Sequence, residues 1–259
     1  STCFGSLSFI HHKEEKITMK LKKIASLALA GVMAVSMLTA CGSNAIDEKP
    51  PVDDGDNDAT SYSAVLQDEL ESKNIMKVKF SDSSELDSAL ESAVAHAGFD
   101  AVTNDFIHSL FGNGYSIRWV DQNTSSDAVE NVNNKLREVM KPEIGMQKTA
   151  SETVRWLSPE AIGNPHNPGA DCDENNINTT ILFVADRGMG LEAAMDEIAD
   201  MIADGVVGLN TSYDSRDVNG ATYNYEYTGS VSVCAKNFDA MNGIGVNFIA
   251  VNIVRTIVY

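Results

Sequence analysis

Tyr223–Tyr259 reads YNYEYTGSVSVCAKNFDAMNGIGVNFIAVNIVRTIVY. Tyr223, Tyr225, Tyr227, Val231 and Val233 alternate with Asn224, Glu226, Thr228, Ser230, Ser232 and Cys234. A side-chain period of two puts the first set on one face of a strand and the second on the other, so a strand with one buried and one polar face is expected. Asn242-Gly243 is a hairpin signal, because a tight two-residue turn needs positive φ at both central positions. Ile244–Tyr259 then returns as a strand that is apolar on both faces, the pattern of a central strand.

Upstream, Thr179–Ala185 reads as a buried strand. Residues 190–204 read as a helix with Leu191, Ala194, Met195, Ile198, Met201 and Ile202 inward, closed by Gly205. Ser158–Asn176 is a long irregular loop of the kind that carries function or disorder. Before it, Asp127 and Glu130 form a capping box for a helix through Val129, Val132, Leu136, Val139 and Met140 that Pro142 ends. Tyr115–Val120 reads as a strand and Asp100–Phe111 as a helix. Asp82 and Glu85 cap a further helix through Leu86, Ala89, Leu90, Ala93, Val94 and Ala97, which Gly98 stops. A short helical pattern begins near Tyr62, and Ile75–Phe80 is a candidate strand. Residues 146–157 are ambiguous, with Val154, Trp156 and Leu157 buried. Helices first and a meander last predict an α+β fold, with helices packed on a largely antiparallel β-sheet, in one domain over 62–259.

The chain carries 19 Lys+Arg against 37 Asp+Glu, a net charge of −18. That balance disfavours nucleic acid and bare anionic membrane as partners. The acids are spread along the chain, so they read as a solvated surface. Asp54, Asp56 and Asp58 alternate as calcium-loop ligands do, yet Ala59 stands where the loop needs glycine and Val65 where it needs a bidentate Glu. Residues 41–61 are polar, acidic and interrupted by Pro and Gly, the composition of a flexible tether.

Met19–Cys41, MKLKKIASLALAGVMAVSMLTAC, combines Lys20, Lys22 and Lys23 with an apolar run shorter than the ~20 residues of a membrane span. Leu38-Thr39-Ala40-Cys41 resembles the lipobox of bacterial lipoproteins. The resemblance implies cleavage of a 19–40 signal peptide, lipid on the Cys41 sulfur, and a mature domain anchored on the extracytoplasmic face of the membrane. Residues 1–18 then read as an upstream extension, with Met19 as the start. With Cys41 lipidated, Cys172 and Cys234 remain as a candidate disulfide in an exported domain. Neither has a second Cys or a His at ligand spacing, so no metal is expected.

Residues 90–114, LESAVAHAGFDAVTNDFIHSLFGNG, are similar to the helix-and-histidine segment of secreted SCP/CAP-like proteins, matching at His96, Asn104, Phe106, His108, Ser109 and Gly114. The resemblance implies a three-layer α-β-α sandwich. The second histidine motif of that family, of the G-H-Y-T-Q kind, is absent, so its cation-binding pair is incomplete. His96 and His108 are therefore not expected to act as a catalytic pair.

Gly188-Met189-Gly190-Leu191-Glu192-Ala193 fits G-x-G-x-x-A, but Asp186 and Arg187 separate it from the strand and nicotinamide cofactors are not supplied outside the cell. It reads as a glycine turn entering a helix, and no cofactor is expected. No G-x-S-x-G marks a serine nucleophile. The tyrosine ladder reads as core packing, with a carbohydrate or peptide groove as its functional alternative. His96, His108, Tyr223 and Tyr225 are the candidate pocket residues. The resulting expectation is a surface-anchored, non-catalytic binding module for an extracellular ligand or protein. The alternative is an extracytoplasmic hydrolase or metal-dependent enzyme of SCP/CAP-like fold.

Overall fold

The computed structural model describes residues 61–99, 111, 116–121, 127–160, 169–215, 220–238 and 245–258. In chain order these give α1 (Tyr62–Ser72), β1 (Val78–Phe80), α2 (Ser84–Ala95), β2 (Ile117–Trp119), α3 (Asp127–Met140) and α4 (Ala150–Arg155). There follow β3 (Pro159–Glu160), β4 (Ala170–Asp171), β5 (Ile177–Asp186), a 3₁₀ turn (Arg187–Met189), α5 (Leu191–Val207), β6 (Ser212–Asp214), β7 (Thr222–Asn237) and β8 (Gly245–Val258).

The fold is α+β. Six strands form one mixed sheet in the order β1-β7-β8-β5-β2, with β6 beside the start of β7. Every pairing in it is antiparallel except β1 with β7. β8 lies between β7 and β5 and is buried over nearly its whole length, as a strand apolar on both faces must be.

Alternation along the strands divides the interior into two cores. Tyr225, Tyr227, Val231, Ile249, Val251, Ile253, Ile181 and Phe183 face one side and pack with Leu66 and Leu70 of α1, Val154 of α4, and Met195, Ile198 and Ile202 of α5. Leu182, Val184, Cys234, Phe248 and Ala250 face the other and pack with Leu86, Leu90 and Val94 of α2 and Val129, Val132 and Leu136 of α3. The molecule therefore has the three layers of an α-β-α sandwich.

Several sequence expectations shift. Ser83, not Asp82, caps α2, its hydroxyl accepting from the Leu86 amide, while Asp82 accepts from the Ser61 hydroxyl. Val139 is half exposed, because α3 ends at Met140 before its stripe completes another turn against the sheet. α5 runs through Gly205 to Val207. Gly205 marks a helix crossing, since a Cβ there would lie 2.3 Å from the Ser151 carbonyl oxygen of α4. The expected 100–111 helix lies, apart from helical Phe111, outside the described residues, as does the Asn242-Gly243 turn.

No disulfide joins Cys172 and Cys234; both are buried thiols. Cys234 sits in the α2/α3 core, opposite Phe248 on β8. The Cys172 carbonyl accepts from the hydroxyl of Tyr225, which points to the other face of the sheet. A strand layer separates the two thiols, farther than a bridge can span.

Candidate functional site

The face of the sheet toward α1, α4 and α5 is covered over most of its length: Tyr225, Tyr227, Ile253, Arg255, Ile257 and Ile177 are all buried. The opposite face is covered for only part of its length. Where α2 and α3 lie, the row Ser232, Ala250 and Leu182 across β7, β8 and β5 is buried. The next row, Ser230, Asn252 and Thr180, is buried but polar, and the Thr180 hydroxyl donates to Asn252 Oδ1 at 3.0 Å.

Beyond it no described helix covers the sheet. Thr228 is exposed and its neighbours Val254 and Asn178 are half-buried. In the row after that Glu226 is exposed and Thr256 half-buried, the Thr256 hydroxyl donating to Asn176 Oδ1 at 3.2 Å. Asn224 and Val258 end the surface, both exposed. The reason is legible in the residues: Thr228, Asn178, Glu226, Thr256 and Asn224 keep their hydrogen-bonding groups in water and leave little apolar area, mainly Val254 and Val258, for a helix to cover.

The rim is ordered by α3 and the segment after it. The Arg137 guanidinium reaches the Thr180 carbonyl at 3.5 Å, and Glu143 Oε2 accepts from the Asn178 amide at 2.9 Å. Burial lowers the pKa of Arg137 from its ordinary value. Asn178 Oδ1 is buried without a hydrogen-bond partner among the described residues.

On the covered face, a second polar centre holds the stalks of the 158–176 loop. Arg255 projects from β8 into the first core and is fully buried. Its guanidinium donates to four backbone carbonyls, those of Leu157 (3.1 Å), Ala170 (3.3 Å), Asp171 and Glu174 (3.1 Å). It also lies 4.8 Å from the centroid of the Tyr225 ring. Burial lowers the pKa of Arg255 and raises those of Tyr225 and Cys172, the latter raised further by Asp173. A thiol pushed upward is not a nucleophile. The Tyr227 hydroxyl donates to the Asn210 carbonyl at 2.7 Å, and Ser158 bridges the Gly208 carbonyl and the Asn210 amide.

The candidate pocket residues do not converge. Tyr225 is buried under the loop and Tyr223 is half-buried against the first core, so neither faces the bare half of the sheet. His96 is the C-cap of α2, exposed, with Nδ1 2.7 Å from the Ser92 carbonyl. Tyrosine and histidine thus belong to opposite layers. His108 lies outside the described residues, as does Cys41. Asn178, Thr180, Glu226, Thr228 and Asn252 escaped the sequence reading of the site. Glu226 and Thr228 were visible as the polar half of the 223–234 alternation, whereas Asn178, Thr180 and Asn252 lie in or beside strands read as buried or apolar on both faces.

Among the described residues, no group of three or more His, Cys, Asp or Glu is placed to hold a metal ion, and no helix is long and apolar enough to cross a membrane. No protein-family model, no curated protein and no solved structure matches the chain.

Proposed function

We propose that the chain is a bacterial lipoprotein, tethered through lipid on Cys41 to the outer face of the membrane, whose domain binds a neutral, hydroxyl-rich ligand of the cell envelope on the bare half of its sheet. The anchoring half of this reading is supported by Met19–Cys41, with its lysines, short apolar run and Leu-Thr-Ala-Cys end. The binding half is supported by one observation: beyond α2 and α3 one face of the sheet is left uncovered by the described elements, and there Thr228, Val254 and Asn178 stand in register across β7, β8 and β5, with Glu226 beside Thr256 in the next row. Such a surface offers hydroxyl and amide donors and acceptors at fixed spacing, with the Glu226 carboxylate as a further acceptor.

Two measurements test it. A palmitate analogue fed to cells marks the wild-type protein and fails to mark Cys41→Ala; equal labelling of both overturns the anchor. Purified protein co-sediments with isolated cell-wall sacculi, and the double substitution Glu226→Lys/Thr228→Arg abolishes this while leaving the circular-dichroism spectrum and unfolding midpoint unchanged. Absence of co-sedimentation by the wild type, or its persistence in the double variant, overturns the binding surface.

A further inference from the structure

The loop neck closes where β3 and β4 form a two-residue parallel bridge, Pro159 beside Ala170 and Glu160 beside Asp171. The closure is tight. The Ala170 amide lies 3.0 Å from the Trp156 carbonyl and 3.2 Å from that of Ser158, and a Cβ on Gly169 would stand 2.5 Å from the Ser158 oxygen. Within it Glu160 is only 6% exposed, and its Oε2 has no hydrogen-bond partner among the described residues. Its register neighbour Asp171 is a second carboxylate on the same side of the bridge. A buried carboxylate beside another, with an oxygen left unsatisfied, is costly when ionised and cheap when protonated.

We propose that the β3–β4 bridge is a proton-operated clasp: Glu160 closes the neck when protonated and loosens it when ionised. Among the described residues, the charged and titratable groups around it are few. β4 and the residues after it bring Asp171, Cys172 and Asp173; β6, packed on β3, brings Tyr213 and Asp214. Arg255 of β8 holds the Ala170 and Asp171 carbonyls from the other side of the neck. The Gly169 amide is the one group that favours the ionised form of Glu160, and it is outweighed: burial first, then the Asp171 charge, raise the Glu160 pKa above its ordinary value. Because the closed form holds its proton more tightly than the open form, closure is complete below the ordinary carboxylate range. It is lost as pH rises through the raised value.

Hydrogen exchange of the full chain between about pH 4 and about pH 8, corrected for intrinsic exchange rates, reads the clasp at Trp156–Glu160 and Gly169–Glu174. Protection in the wild type falls about tenfold per pH unit between the open-state and closed-state values. Glu160→Gln, neutral throughout, keeps its protection. Asp171→Asn removes the neighbouring charge, so Glu160 ionises at lower pH and the loss moves down. Flat protection in the wild type, or a Glu160→Gln profile that follows the wild type, overturns the clasp. Should Glu160→Gln not fold, an unmoved profile in Asp171→Asn does the same.

Discussion

Arg255 shows what one side chain does when burial leaves it no carboxylate. A guanidinium has five N–H donors in a rigid fork, and here four carbonyls of the loop neck converge on it. Removing it relieves the desolvation of a buried charge but strands those carbonyls, each costing about 1–3 kcal/mol unpaired. The second effect wins because the neck cannot turn its carbonyls to water without unzipping. Arg255→Met is therefore expected to lower stability by about 3 kcal/mol, and Arg255→Lys by less, since an ammonium keeps three donors. Urea-unfolding midpoints should rank wild type above Lys above Met. A Met variant at or above wild type would show that hydrophobic filling outweighs the carbonyl bonds.

Helix α5 shows the same competition at the level of elements. Its long apolar stripe, Ala194, Met195, Ile198, Ile202 and Val206, binds it to the sheet and α1. Gly205 lets α4 approach until the Ser151 carbonyl nearly touches the α5 backbone. In an isolated helix Gly205→Ala would gain about 1 kcal/mol from propensity. In this packing the added methyl also meets the Val154 Cβ at 3.0 Å, and two helices must move apart. A net loss of about 1–2 kcal/mol is expected, visible as a lower thermal midpoint; a raised midpoint would mean that α4 yields freely. The end of α5 lies instead at Val207, where the Lys77 ammonium donates to the Val207 and Leu209 carbonyls that the last turn leaves unpaired.

Across the whole molecule, the sheet acts as a partition. Cys172 and Cys234 are each buried, on opposite sides of it, so oxidation cannot join them without unfolding. The unfolding midpoint of the purified protein should be the same with and without reductant, and alkylation of the unfolded chain without prior reduction should label both cysteines. A midpoint lowered by reductant would contradict the layered arrangement. The partition also explains the open surface: one face is sealed by three helices and a clamped loop, the other only where α2 and α3 lie, so the polar rows of β5, β7 and β8 reach solvent.

Local pattern by itself determined the longer elements, though not α4, β3, β4 or β6. The stripes of α5 and α2 and the two-faced apolarity of β8 are written in residue spacing, and so was the α+β class, because periodicity reports which faces of an element are buried. It left open what covers each face. The alternation marked Tyr225 and Tyr227 as core and Asn224, Glu226 and Thr228 as the polar face, but only the placement of the helices decided which stretch of each face is covered. Gly205 as a crossing and not a stop, Ser83 as the cap in place of Asp82, the separation of Cys172 from Cys234, and the convergence of four carbonyls on Arg255 all depend on contacts between residues distant in the chain. Spacing along a sequence carries no information about such contacts, because they are set by the packing of whole layers against one another.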